Sequence, residues 1–336
     1  MKRLILIILS VVTATCFASC GKRADKTDVT EKLNVNEVTH SIFYAPFYIA
    51  LEAGYFKEEG IEIELTNGGG SDNSMAALLS GSADVALLGP ETGIYTALGS
   101  PKDAPVIFAQ LTKRDGSFLM GRVKEPDFKW TSLENKEIIA GRKGGSPAMS
   151  LEFALNKNGL YNGNNVTLNF DIQFNLTTAA FEAGTGDYVT VFEPTASELE
   201  REGKGYIVAS VGEQSGEVPF TCFMAKKSYF DKNEKTLVKF NKALLKAFKL
   251  IEEADVNEVA AILEKSFPST ETKSIVSSLE SYKRIDAWKQ DLIMTESSFL
   301  HLEEVMTNAG ELDDTVEYKT LVKNDYAEKA YKEFFG

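Results

Sequence analysis

From residue 33 to residue 224 short strand-like runs alternate with helical stretches, and most strand-to-helix junctions carry glycine or proline. The run 33–39 (LNVNEVT) alternates apolar and polar residues, as a half-buried strand does. A turn at Tyr44, Ala45 and Pro46 follows, with Pro46 placed for the first turn of a helix through Phe47, Ile49, Ala50 and Leu51. Segment 61–66 (IEIELT) is a second alternating strand. Glycine-rich 67–70 leads into a helix over 75–79, for which Ser71 or Asp72 is the expected cap. Segment 85–88 (VALL) reads as a buried strand, Gly89-Pro90-Glu91 opens the next helix, and 105–110 is strand again. Two periods that cannot substitute for one another, interleaved at this spacing, predict an α/β fold whose sheet strands are joined by helical crossovers.

A second unit repeats the pattern. Strands are expected at 117–121, 137–141, 166–172, 188–192, 206–211 and 220–224, with a helical turn at 130–135. Helices are expected after Gly144-Gly145-Ser146-Pro147, over 175–183 and over 194–201. Beyond residue 228 the texture becomes helical. In 234–253 Leu237, Phe240, Leu244, Leu245, Phe248 and Ile251 recur at helical spacing. Further helices are expected at 256–263, 274–282 and 299–309, the last stopped by Gly310. This tail reads as packing for the first unit. The polar stretches 112–116 (TKRDG) and 212–219 (GEQSGEVP) are the expected linkers. Periodicity alone permits either two tandem domains or two lobes joined by two crossings.

The formal charge of -13 disfavours binding to a phosphate backbone, and no basic stripe interleaves with aromatics, so no nucleic-acid partner is expected. His40 and His301 lie far apart without Cys or His at ligand spacing, so neither a metal centre nor a Ser-His-Asp or Cys-His nucleophile is expected. Residues 1–20 combine Lys2 and Arg3 with an apolar run too short to span a bilayer, the pattern of an export signal. Phe17-Ala18-Ser19-Cys20-Gly21 resembles a bacterial lipoprotein cleavage box, which would make Cys20 the lipidation site and 21–32 a tether on the outer face of the cell membrane. Cys222 would then be the one thiol left without lipid in the mature chain, so no internal disulfide is expected.

Three segments carry a wider resemblance: HSIFYAPFYIALEAGYFKEEGIEIEL at 40–65, LLSGSADVALLGPE at 78–91 and KGGSPAMSLEFAL at 143–155. They resemble the ABC-transporter solute-binding proteins for nitrate, sulfonates, taurine and thiamine pyrimidine precursors, most of all the thiamine-precursor branch. The resemblance implies a type II periplasmic-binding-protein-like fold. Lobe one would comprise 33–113 plus 220–336, lobe two 114–219, with two hinge crossings and the helical tail packed on lobe one. It also implies a monomer that binds a small-molecule ligand without a cofactor, docks on an ABC permease with its ATPase, and is not an enzyme. The same family holds an enzyme-like, pyrimidine-making branch using pyridoxal phosphate. His40 lies near the relevant segment, and the export signal argues against that branch.

Strand ends carry the expected ligand residues, because helix starts present free amides there. In lobe one these are Tyr44, Ala45, Pro46, Gly70, Ser71, Gly89, Pro90 and Glu91. In lobe two they are Gly145, Ser146, Phe174, Asn175 and Glu193, and Asp115 stands with Arg114 at the first crossing, either facing the cleft or forming a hinge ion pair. Glycines 68–70 are followed by no Lys-Ser or Lys-Thr pair and so make no nucleotide P-loop. Two carboxylates, Glu91 and Glu193, without a matching Lys or Arg pair, disfavour an anionic solute. The expected ligand is an amino-substituted heteroaromatic, stacked on Tyr44 or Phe174. An alkylsulfonate, taurine or nitrate is the alternative.

Overall fold

The computed structural model describes residues 31–173 and 176–336. The signal, Cys20 and most of the tether lie outside the described residues, as do Phe174 and Asn175. Ten strands form two five-stranded sheets: β1 (Glu31–Glu37), β2 (Ile61–Asn67), β3 (Val85–Leu88), β4 (Pro105–Thr112), β5 (Ser117–Gly121), β6 (Glu137–Ile139), β7 (Thr167–Asn169), β8 (Tyr188–Phe192), β9 (Tyr206–Ser210) and β10 (Thr221–Lys226). The first sheet has the order β2-β1-β3-β10-β4 and the second β7-β6-β8-β5-β9. β1 pairs in parallel with β2 and β3, and β6 with β7 and β8. The antiparallel members are β10 in the first sheet and β5 in the second. Each is a strand next to a crossing, so the chain leaves lobe one after β4 and re-enters it at β10.

The helices between and after the strands are α1 (Ala45–Glu52), α2 (Tyr55–Glu58), α3 (Ser71–Ser80), α4 (Pro90–Leu98), α5 (Ser146–Asn156), α6 (Thr177–Glu182), α7 (Thr195–Glu202) and α8 (Val211–Ser215). The tail adds α9 (Lys227–Lys232), α10 (Glu234–Glu253), α11 (Val256–Leu263), α12 (Thr272–Arg284), α13 (Glu296–Asn308), α14 (Tyr318–Leu321) and α15 (Asp325–Phe335). α10 has the expected apolar stripe, with Leu237, Phe240, Leu244, Leu245, Phe248 and Ile251 all buried, and it packs on α1, α2 and α15. The tail is not confined to lobe one, however: α12 also meets α7, and α13 packs on α5. One apolar cluster runs from Val35 and Phe108 through Phe43 and Tyr282 to Phe118, Val189 and Leu199 of the second lobe. Each such side chain contributes about 1.5–3 kcal/mol when fully buried. Among the described residues no helix is long and apolar enough to cross a membrane.

The crossings are closer packed than open linkers. Residues 211–215 wind into α8, capped by Ser210 on the Glu213 amide (3.2 Å), and Val211, Gly212 and Ser215 are buried. The first half of the expected linker at 212–219 is therefore helix, and its backbone lies against the other crossing: a side chain on Gly212 would collide with the Asp115 backbone. The Thr112 and Thr221 hydroxyls bond to each other, and the Thr221 amide donates to Thr112 Oγ1 at 2.9 Å. A side chain on Gly116 would meet the Phe43 ring at 2.5 Å. Residues 287–292 strap this region, with Lys113 N donating to Ala287 O and Lys289 N to Leu111 O (2.8 and 2.9 Å).

Asp115 is fully buried here and accepts the Ser117 amide at 2.6 Å through Oδ1. It neither lines the cleft described below nor pairs with Arg114; the ion pair of this crossing joins Lys113 to Asp286 at 2.7 Å. Burial pushes its carboxyl up to about 7, against the opposing influence of Ser117 and Ser150. Between about pH 4 and pH 7 the unfolded chain is ionised at this position while the folded one keeps its proton, so stability falls as pH rises through that window. Asp115→Asn should match the wild type in urea unfolding near pH 4 and gain on it by about 1.4 kcal/mol per pH unit up to pH 7. A pH-independent difference would contradict the buried-acid assignment.

Candidate functional site

Between the two sheets lies a cleft of about 910 Å³. It is lined by the carboxyl ends of parallel strands and the helix starts that follow them. The contributing loops are 38–44 after β1, 69–72 after β2, 89–92 after β3, 140–147 after β6 and 190–195 around the end of β8. Phe220 and Thr221 close the back, and residues 266–270 of the tail form a rim. Converging helix N-termini and strand ends make such a crevice the usual ligand position in open α/β sheets.

Glu91 lies in the first turn of α4, only 4% exposed. Its carboxyl folds back over Gly89, where any β-carbon would collide with both carboxyl oxygens. Burial pushes this carboxyl up to about 7, with Ser146, its own backbone amide and Arg142 acting in the opposite direction and Asp72 adding to the rise. Among the described residues Glu91 Oε2 has no hydrogen-bond partner, nor does Ser146 Oγ, which is near enough to temper the shift without bonding geometry. Two buried, unpaired polar groups thus face one cleft from opposite lobes.

The walls are aromatic. Tyr44 is buried, and its hydroxyl is held neutral by that burial. Phe43 sits between the lobes, 5.8 Å from the Phe192 ring and 5.7 Å edge-on from Phe220. Tyr95 reaches across to Met149. At the rim His40 stacks on Phe267 at 4.5 Å, and its Nε2 donates to the Ser266 carbonyl at 2.8 Å. Its Nδ1 faces Glu37 Oε1 at 3.0 Å, a contact that raises the His40 pKa. The buried Glu37 also accepts from Tyr48 and from Asn67 (3.2 Å), so this network pins the rim loop to lobe one.

Of the expected residues, the lining includes Tyr44, Gly70, Ser71, Gly89, Glu91, Gly145, Ser146 and Glu193. Ala45, Pro46 and Pro90 are buried in the first turns of α1 and α4 and do not reach it. Neither Ser71 nor Asp72 caps α3, whose N-cap is Gly70. Asp72 instead pairs across the cleft mouth with Arg142 of lobe two at 2.5 Å. The Glu193 carboxylate, 2% exposed, already accepts from Ser197 N (3.0 Å), Ser197 Oγ (2.8 Å) and Ser281 Oγ (2.7 Å). Trp288 is a core residue, donating Nε1 to Phe43 O at 2.9 Å. Arg142, Thr92, Tyr95, Phe192, Phe220 and the rim were not anticipated. Arg142 follows β6 in a strand-end loop, so its position was a usable signal; the rim loop, more than 220 residues from His40, offered none.

Comparison with known proteins places this geometry in context. Residues 38–264 match the model of the NMT1-like family. The Bacillus subtilis (strain 168) protein named "Putative binding protein YtlA" is 41% identical over 324 residues, 96% of each chain. Among solved structures, the alkanesulfonate-binding protein SsuA from Xanthomonas axonopodis pv. citri, bound to MOPS, aligns with a TM-score of 0.70 at 17% identity, covering 87% of this chain and 98% of that one. The periplasmic nitrate-binding protein NrtA from Synechocystis PCC 6803 aligns at 0.68 and 16% identity, covering 91% and 89%. At such identities these structures share the fold: two α/β lobes of the periplasmic-binding type.

Gly89 has φ -69° and ψ 135°, open to any residue, and the nearest atoms to an alanine β-carbon there would be those of the Glu91 carboxyl. Gly89→Ala should drive that carboxyl out toward water. Its titration, followed by carboxyl-detected NMR, should fall from near 7 to the ordinary glutamate range of about 4.3. An unchanged midpoint would show that the folded-back position does not cause the shift.

Proposed function

The chain belongs to the NMT1-like family, and from that premise we propose that it is the extracytoplasmic solute-binding protein of an ABC importer, taking a flat, amino-substituted heteroaromatic such as a thiamine pyrimidine precursor into the interlobe cleft. The observation that carries this reading is the Glu91 carboxyl, buried, unpaired at Oε2 and flanked by aromatic faces. Burial raises its pKa to about 7, so the protonated form is accessible near neutral pH, and that form offers one O–H donor beside one acceptor oxygen. A ring nitrogen next to an exocyclic amino group is the complementary edge. Tyr44 and Phe192 supply surfaces for stacking.

In the same reading Cys20 is lipidated and tethers the body outside the cell, lobe one is 33–113 plus 220–336, and lobe two is 114–219. The protein works as a monomer that hands its solute to a permease with its ATPase. Binding, not catalysis, is its role: both His40 ring nitrogens are engaged by Glu37 and Ser266, which argues against the enzyme-like alternative. A second reading, a receptor for alkylsulfonate, taurine or nitrate, is favoured by Arg142 in the lining and by the two structural neighbours, which are alkanesulfonate- and nitrate-binding proteins. Against it, Arg142 is already paired with Asp72, and Glu91 beside it would repel an anion whenever ionised.

Calorimetry with a 4-aminopyrimidine and with taurine separates the two. The proposed reading expects aminopyrimidine binding that falls as pH rises above 7, because the bound form keeps the Glu91 proton. Glu91→Gln, which retains a donor and an acceptor, should stay within about tenfold, whereas Glu91→Ala should lose about 100-fold. Tight taurine binding with no aminopyrimidine binding would overturn the assignment.

A further inference from the structure

The two walls of the cleft come from different lobes, and on one side a single tail helix touches both. Tyr282 of α12 is fully buried, and its ring lies 4.9 Å from that of Phe43 in the lobe-one wall. Its hydroxyl accepts the backbone amide of Glu193 in the lobe-two wall at 3.1 Å. The preceding residue, Ser281, donates Oγ to Glu193 Oε1 at 2.7 Å. Nearer the start of α12, Arg201 Nη2 of α7 donates to Ser274 Oγ at 2.7 Å. The other oxygen of Glu193 holds the Ser197 amide in the first turn of α7. A carboxylate that receives three donors while only 2% exposed has little left to offer a solute.

We propose that Glu193 is a positioning residue: through Ser281 and Tyr282 it clamps the lobe-two wall to α12 and so fixes the gap between the two walls of the cleft. The inference is independent of which solute binds. It has a geometric consequence. α12 starts at Thr272, just after the rim loop 266–270, so the same clamp steadies the rim. Elsewhere the lobes are joined by the exposed Asp72–Arg142 pair, in which both side chains are about two-thirds exposed. Exposed pairs of this kind are weak and salt-screened. The α12 clamp therefore holds the two walls more firmly than the Asp72–Arg142 pair does.

Hydrogen–deuterium exchange on the full chain without added solute tests this. Ser281→Ala removes one hydroxyl from a half-buried site and Tyr282→Phe keeps the buried ring, so both variants are compatible with folding. Each should speed exchange about tenfold in 266–271 and in the first turns of α12, leaving α10 unchanged. Ser281→Thr, which keeps the hydroxyl, should stay within about twofold of the wild type. Acceleration confined to the first turn of α7 would reduce Glu193 to a helix cap and overturn the proposal. No acceleration at 266–271, or a uniform rise across the chain, would overturn it as well.

Discussion

Withdrawing the Glu91 carboxyl from water at the start of α4 has a desolvation cost that the surrounding groups offset only in part. The α4 amides and the positive end of its dipole favour the ionised form, and burial opposes it. The balance raises its pKa to about 7, well above that of an exposed glutamate. Gly89 makes this possible, because a β-carbon there would occupy the volume of the carboxyl. The parallel strands β1, β3, β6 and β8 then matter because their ends bring that group, Ser146 and the aromatic walls into one crevice.

Rigidity and opening are distributed unequally around this crevice. Thr112–Thr221, Gly212 against Asp115, and Gly116 against Phe43 bind the crossings closely. The tail adds α12 on one flank and α13 on another, where His301 Nε2 bonds Ser215 O at 2.9 Å and Asn156 bonds Asn308 at 2.7 Å. A binding protein whose cleft is largely pre-formed loses less freedom when the solute enters. Discrimination then rests on the polar groups at the base, since an unmatched buried carboxyl penalises the wrong solute.

Much of the scaffold was legible because its signals are local. The strands at 117–121 and 188–192 and the helix at 234–253 have the bounds that short buried runs and apolar helical spacing predict. Glycine and proline at strand ends likewise marked where Gly89, Glu91 and Ser146 would sit. Long-range contacts left no such trace. Residues 212–219 look like a linker by composition, yet 211–215 become helix because the other crossing packs on Gly212. Asp72 looks like a cap until Arg142 arrives from the other lobe. Glu193 stands at a strand end like Glu91, but the donors that occupy it lie on α7 and on a helix nearly ninety residues later.

A structure of the protein with whatever solute accompanies it from its native source is the most direct measurement. The account predicts a planar, nitrogen-bearing molecule between the lobes, with an N–H or ring nitrogen within hydrogen-bonding distance of Glu91 and its face against Tyr44. An anion seated on Arg142 with Glu91 turned away, or a solute bound outside the cleft, would contradict it.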